Sequence, residues 1–592
     1  MSTYLAPMRD MQFIMNEVAG LEEVCALPGN EECSVELVES ILEEAAKFAT
    51  GVLDPINAVG DRDGATCADG VVTATPGFKE AYQLFVETGW NSLHCSPEYG
   101  GQGLPTLVST AVNEMWKSSN MAFALCPMLT GGAIEAIAHH ASPELRAKYL
   151  PKMVEGSWTG TMNLTEPSAG SDLAAIRTRA LPVGDGSYRI SGTKIFITWG
   201  EHNMTENIVH LVLGRLPDAP PGVKGISLFL VPKFLVNDDG SLGARNDLVC
   251  ASVEHKMGIH GSPTAVMAFG EGEGALGWVI GEENKGLGYM FTMMNHARVN
   301  VGLEGVGISE RSFQHALAYA RERVQGAPVG TAPADKKPIL HHPDVRRMLM
   351  DMKSRTEAMR TLAYYVAAEM DRAHAGNEAS RARVDLLTPV VKGWSTEQGI
   401  ELASTGVQVF GGLGFIEETG ACQYYRDSRI TTIYEGTTGI QANDLIGRKL
   451  AREKNPGVAM RALLAEIAAT VAELKADAEL AAIGGQLEAG AAALASATDW
   501  LIANYEADTA AALAGAVPFL KLTGIVAGGW LMAKSALVAR RQIAAGSSDP
   551  FYTGKIATAT YFASHQLPFA DAYSAEVTGG SAATLALAEN LF

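Results

Sequence analysis

Cysteine is scarce: seven occur in 592 residues (Cys25, Cys33, Cys67, Cys95, Cys126, Cys250 and Cys422), never closer than eight positions apart. That odd, scattered set excludes a Cys-rich zinc cluster, argues against a disulfide framework, and suits a reducing cytoplasm. No metal site is expected. No dense run of Lys or Arg occurs either, and 66 acidic against 46 basic residues leave a formal net charge of -20. Such a chain repels a phosphate backbone, so nucleic acid is not an expected partner. The N-terminus shows no basic stretch followed by an apolar run, which predicts neither secretion nor organelle import and leaves the cytoplasm as the expected location. The most apolar late stretch, Phe519 to Ala539, is interrupted by Lys521 and Lys534 and falls short of the ~20 residues a membrane span requires, so a buried helix is expected there. No repeat of solenoid period is evident.

What the chain does have is apolar residue in quantity, 47% against 19% charged, enough for several packed domains. Leu37, Ile41, Ala45, Phe48 and Val52 recur every three or four positions, the spacing of one helix face. Ser142-Pro143-Glu144 reads as an N-cap followed by proline at the first helical position. Helices are expected over 1–158. The texture then changes to short β-prone runs between turn residues, at Tyr188 to Thr198, Asn207 to Leu213, Ile226 to Val231, Leu248 to Val253 and Thr264 to Phe269. These predict a small β-domain over 159–281. Helical periodicity returns from Leu287 to Val324 and from Pro343 to His374, predicting a bundle over 282–454. Ala327 to Pro338, with its prolines, reads as a surface excursion. An Ala-rich tail predicts a further helical domain over 455–592. The expected class is α+β, mostly α.

Three motifs carry chemistry. The first is Met162-Asn-Leu-Thr-Glu-Pro-Ser-Ala-Gly-Ser171-Asp172, followed by Lys194-Ile-Phe196-Ile-Thr198 on a strand. Thr165, Ser171 and Thr198 offer hydroxyls to the polar edge of a flat ring and Phe196 offers an apolar face. The second, Gln408-Val-Phe-Gly411-Gly412-Leu-Gly414-Phe415, follows a helix rather than a strand, so a dinucleotide-binding Rossmann turn is rejected. Its glycines permit close backbone approach to a pyrophosphate, or simply end a helix. The third is Arg426-Asp427-Ser-Arg429-Ile-Thr-Thr-Ile-Tyr434-Glu435-Gly436-Thr437.

In this order the motifs resemble the acyl-CoA dehydrogenase family, and the resemblance covers about residues 35 to 450. It implies FAD as cofactor and an N-terminal helical domain, a central β-domain and a helical bundle, here with a C-terminal extension. It further implies an acyl-CoA substrate, electron-transfer flavoprotein as electron acceptor and a homodimer. Glu435 falls where the family's catalytic base stands, removing an α-proton while flavin accepts the β-hydride; a backbone N–H near it and a flavin hydroxyl would polarise the thioester carbonyl. Implied cofactor contacts are Met162, Leu164, Thr165, Ser171, Phe196, Thr198, Arg323, Gln325, Gln408, Gly411, Gly412 and Thr437, the glycine segment often coming from a neighbouring subunit. Implied substrate contacts are Ser171, Asn295, Arg298, Tyr434, Gly436 and Arg448. Arg298 and Arg323 also suit exposed helix positions. The chain departs from the common pattern at Asn295, where many members carry aspartate, and at Val324-Gln325-Gly326, where a Phe-Gly pair is usual.

The layout, with Tyr4-Leu-Ala-Pro-Met-Arg-Asp and Glu254-His-Lys-Met-Gly-Ile-His-Gly-Ser-Pro, further resembles bacterial members that oxidise 3-methylmercaptopropionyl-CoA to methylthioacryloyl-CoA in dimethylsulfoniopropionate breakdown. Met290, Met293 and Met294 are compatible with a thioether substrate, although ordinary helix-core packing is the favoured reading of them. Alternatives are a short- or medium-chain fatty acyl-CoA dehydrogenase, an acyl-CoA oxidase that passes electrons to oxygen, and a flavin-containing nucleic-acid-binding stress protein. The last would require a basic tail, and this tail has few basic residues.

Overall fold

The computed structural model describes residues 3–592. Helices Met8–Phe13 (α1), Val35–Phe48 (α2), Thr106–His140 (α3) and Pro143–Glu155 (α4) precede the strands. The periodic stretch beginning at Val35 forms α2 and runs on into a π-helical turn, Ala49–Leu53. Ser142 caps α4 as its sequence predicts, its hydroxyl oxygen accepting from Leu145 N at 3.4 Å with Pro143 in the first turn.

The strands are Trp158–Asn163 (β1), Arg179–Pro182 (β2), Ser187–Thr198 (β3), Asn207–Gly214 (β4), Ser227–Pro232 (β5), Leu248–Val253 (β6), Thr264–Phe269 (β7) and Ala275–Val279 (β8). They form one eight-stranded sheet in the order β6-β7-β3-β8-β5-β4-β1, with β2 on β3. β1 and β4 pair in parallel. Every strand expected from sequence is present, while β1, β2 and β8 of this sheet were not expected. The reason is pattern: glycine sits inside β1 and β8, and β2 is four residues ending in proline. Tyr188, Ile190, Ile197, Val212, Phe229, Val231 and Met267 fill the core against this sheet.

After the sheet come Gly286–Glu322 (α5), Pro343–His374 (α6), Glu378–Phe410 (α7), Ala421–Ser428 (α8) and Thr438–Ile446 (α9). The tail supplies Val458–Ala476 (α10), Ala481–Asn504 (α11), Ala516–Ala544 (α12), Pro550–His565 (α13) and Phe569–Gly579 (α14). Among the described residues two helices, α3 and α12, are long and apolar enough to cross a membrane, but 83% of the apolar window of each is buried inside the protein. The apolar stretch from Phe519 is thus the buried helix its lysines suggested. All seven cysteines are free, yet the Cys25 and Cys33 sulfurs come within 2.7 Å, a pairing their spacing did not announce.

The chain divides into two compact units. One holds Lys47–Leu104 and Ser119–Asn300, including the sheet; the other holds the chain up to Ala46, Pro105–Ser118 and Val301–Phe592. Within the second, Arg360 on α6 is buried and donates to Glu114 at 2.8 Å, Asp10 at 2.8 Å and Glu310 at 2.7 Å. Lys555 on α13 reaches the same cluster, donating to Asp10 and, at 2.8 Å, to Glu357. Burial disfavours the Asp10 carboxylate, but Lys555 and Arg360 outweigh it and hold its pKa at about 2. The tail is therefore joined to α1 and α6 through buried charge. Lys555→Met would leave Asp10 and Glu357 short of a cation, and the expected loss is about 3–5 kcal/mol, measured as a lower urea midpoint. An unchanged midpoint would show that the cluster does not hold the tail.

Candidate active site

In the sheet-containing unit, the two pieces of the first motif are stitched together. Ile195 N donates to Thr165 O at 2.9 Å, and Lys194 Nζ donates to Leu164 O at 3.0 Å. Glu166 is the hub: it accepts from Arg177 N (2.6 Å), Thr178 N (3.0 Å), the Thr178 hydroxyl (2.6 Å) and Lys194 (2.9 Å). The Lys194–Glu166 pair is buried, and burial pulls the lysine down to about 8 although Glu166 opposes the shift. A loop tied at so many points presents its remaining groups in a defined direction.

Those remaining groups include Phe196. Between Ala265↔Ile197 and Met267↔Lys194 the register slips by one residue, a β-bulge on β3. Phe196 lies in the bulge with φ +60, and its side chain is turned out to 59% exposure. A large aromatic held in a left-handed conformation and facing outward is costly unless something covers it. Among the described residues, the hydroxyls of Thr165, Ser171 and Thr198 find no hydrogen-bond partner. Met162 is buried at the end of β1. Ser171 is exposed on the following loop, where the adjacent Asp172 caps a short turn through Ala174 N.

Asn295 and Arg298, one turn apart on α5, share a 3.3 Å hydrogen bond. Arg298 is 5% exposed, so the open helix position suggested by sequence is corrected to a buried one with its guanidinium beside Phe291. Met290 and Met293 are fully buried, and Met293 packs where a side chain at Gly132 would sit, which is the ordinary core role.

In the other unit, Gly411 ends α7 with φ +62, and a Cβ placed there or at Gly412 would meet nothing within 4 Å. Gln408 beside them is exposed. Arg323, just beyond α5, is exposed and donates to Gln325 at 3.1 Å. Arg448 is exposed and paired with Asp444 at 2.6 Å.

The third motif forms a clamped turn. Glu435 has φ +55 and Gly436 φ +86. Three side chains from outside the turn hold it. Lys392 on α7 donates to Gly436 O at 2.7 Å, Gln441 on α9 donates to Glu435 O at 3.1 Å, and the Tyr434 hydroxyl donates to Glu304 on α5. Thr437 caps α9, its oxygen accepting from Ile440 N at 3.2 Å, which leaves its own proton available to a further partner. Close approach of α5 and α7 makes this possible: a Cβ at Gly302 would stand 2.6 Å from Val391, and one at Gly305 2.2 Å from Ser395 O. Burial raises the Glu304 pKa to about 7 against the opposing effects of Lys117, Tyr434 and Lys392, and burial beside Glu304 also pushes the Tyr434 hydroxyl well up. Sequence reasoning found Tyr434, Glu435 and Gly436 but missed Glu304, Lys392 and Gln441, which carry no motif; the only trace was polar residues placed inside helices.

The family patterns described as acyl-CoA dehydrogenase N-terminal, middle and C-terminal domains match residues 36–157, 161–271 and 284–451, and "Acetyl-CoA dehydrogenase C-terminal like" matches 463–588. The chain is 48% identical over 581 residues to "3-methylmercaptopropionyl-CoA dehydrogenase" of Ruegeria pomeroyi, covering 97% of this chain and 98% of that one. The chain belongs to the acyl-CoA dehydrogenase family. It is an FAD-dependent oxidoreductase that dehydrogenates acyl-CoA thioesters. A "Butyryl-CoA dehydrogenase" of Syntrophomonas wolfei is 35% identical, with 95% of each chain covered. Among solved structures, an acyl-CoA dehydrogenase complexed with FAD from Bacillus anthracis shares the fold, with TM-score 0.73 and 21% identity over 98% of this chain and 93% of that one.

The residues present fit FAD. In the sheet-containing unit, the hydroxyls of Thr165, Ser171 and Thr198 and the outward aromatic face of Phe196 suit a flavin ring, and in the other unit the open backbone at Gly411 and Gly412 suits a diphosphate. The turn itself tolerates little change. An alanine at Gly436 would be strained by its φ and would stand 2.7 Å from the Gln441 amide. Gly436→Ala is expected to cost about 1–3 kcal/mol, seen as a lower melting temperature. A variant melting like wild type would mean that the turn is not held in this conformation.

Proposed function

We propose that the chain oxidises 3-methylmercaptopropionyl-CoA to methylthioacryloyl-CoA, with Glu435 as the base that removes the α-proton. The observation that carries the Glu435 assignment is the clamped turn: three helices each contribute a side chain to hold one glutamate in a backbone conformation that non-glycine residues avoid. The substrate assignment rests on the 48% identity to the Ruegeria protein, which extends through the tail.

When bound, FAD supplies a two-electron acceptor for the β-hydride. Glu435 takes the α-proton, so the Cα–Cβ single bond becomes a double bond as proton and hydride leave. Within this reading Phe196, Thr165, Ser171, Thr198, Met162, Leu164 and Thr437 hold the flavin end of the cofactor. Arg323, Gln325, Gln408, Gly411 and Gly412 serve its phosphate-bearing end, where an arginine fork suits paired oxygens. Tyr434, Gly436, Ser171, Asn295, Arg298 and Arg448 serve the substrate. A homodimer accords with exposed apolar side chains beside the glycines, at Leu413, Phe415 and Ile416. Electron-transfer flavoprotein is the proposed acceptor and the cytoplasm the proposed location.

The test is anaerobic mixing of the FAD-loaded protein with a panel of saturated acyl-CoAs while flavin bleaching is followed. Faster bleaching by the methylmercaptopropionyl thioester than by butyryl and longer chains is expected; preference for butyryl-CoA would instead favour the activity of the 35% identical relative. Glu435→Gln should slow bleaching by about 10²–10⁴-fold with FAD retained. A wild-type rate in that variant would remove Glu435 from the base role.

A further inference from the structure

The turn that carries Glu435 rests on a buried carboxyl for which proton removal itself has no use. Glu304 on α5 has no exposed surface. One of its oxygens accepts from the Tyr434 hydroxyl, and the other has no hydrogen-bond partner. Charged and titratable groups face it from every side: Lys117 from α3, Lys392 from α7, and Tyr434 and Glu435 from the turn. Lys392 in turn holds the carbonyl of Gly436. A buried carboxyl with one oxygen that makes no hydrogen bond is expensive to keep for stability alone, since an apolar residue of similar volume would serve that end as well or better.

We propose that Glu304 is a positioning residue for Glu435: by holding the Tyr434 hydroxyl it fixes the left-handed turn. The proposal rests on the reading of Glu435 as the base. Tyr434 is covalently next to Glu435, so anchoring its ring at the hydroxyl end restrains the rotation that would let Glu435 relax to negative φ.

Burial pushes the Glu304 carboxyl up to about 7. A carboxyl whose folded pKa is raised binds more protons folded than unfolded, so its contribution is present at low pH and lost as pH rises through about 7.

The experiment compares FAD-loaded wild type, E304Q, E304L, Y434F and E435Q between pH 5.5 and 9.5. It follows anaerobic flavin bleaching by an acyl-CoA, together with FAD content, acyl-CoA dissociation constant and melting temperature. Glutamine keeps an acceptor for Tyr434 where leucine does not, so E304Q should retain more of the wild-type plateau rate than E304L. The melting temperature of E304Q relative to wild type should improve between pH 5.5 and 8.5. E304L and Y434F lose the Tyr434 anchor and should bleach about 10–100-fold more slowly at the plateau with FAD content unchanged, and E304L, which leaves the proposed substrate contacts in place, should keep its acyl-CoA dissociation constant. E304Q as slow as E304L, or Y434F at the wild-type plateau, would overturn the proposal. E435Q at the wild-type rate would overturn the underlying base assignment instead. Should E304L fail to fold, E304Q and Y434F decide the matter by themselves.

Discussion

Buried charge around Arg360 is the constraint on which the helical unit depends. One guanidinium draws carboxylates from α1, α3 and α5 to α6, and Lys555 adds α13 to the same set. None of these groups can be buried alone without a cost of several kcal/mol, so each element is held in place by the others' need for a partner. The extension at the end of the chain is thereby part of the unit that carries Glu435. Its longest helix, α12, also packs closely on α7, with Gly524 making room for the ring of Trp394. The tail supports, from behind, the helix that supplies Lys392 to the turn.

Each unit holds a non-glycine residue of its candidate site at positive φ. Phe196 and Glu435 adopt positive φ where neither residue gains anything locally. A bulge with a knot of hydrogen bonds around Glu166 stabilises the first; Lys392, Gln441 and the Tyr434–Glu304 bond stabilise the second. Strain that the surroundings over-determine belongs at positions where a group must point in one direction before its ligand arrives.

Much of the fold was readable in sequence. The helix face beginning at Val35, the Ser142 cap, the Pro343–His374 helix and the five β-prone runs all follow from local pattern. The strands of the main sheet that escaped were interrupted by glycine or very short and ended by proline, so that no β-prone run stands out. Arg298 escaped for a related reason: its burial depends on what packs over α5, not on its own neighbours in sequence.

The sequence by itself determined the element order, the family and the Tyr434-Glu435-Gly436 segment, because each is written in residues within a few positions of one another. Tertiary structure alone decided which distant side chains hold that segment and the tail. Tyr434 meets Glu304 across 130 positions, and Lys555 meets Asp10 across 545. Helix and strand propensity act over a turn or two, whereas a buried polar group takes its partner from whatever the packing brings near.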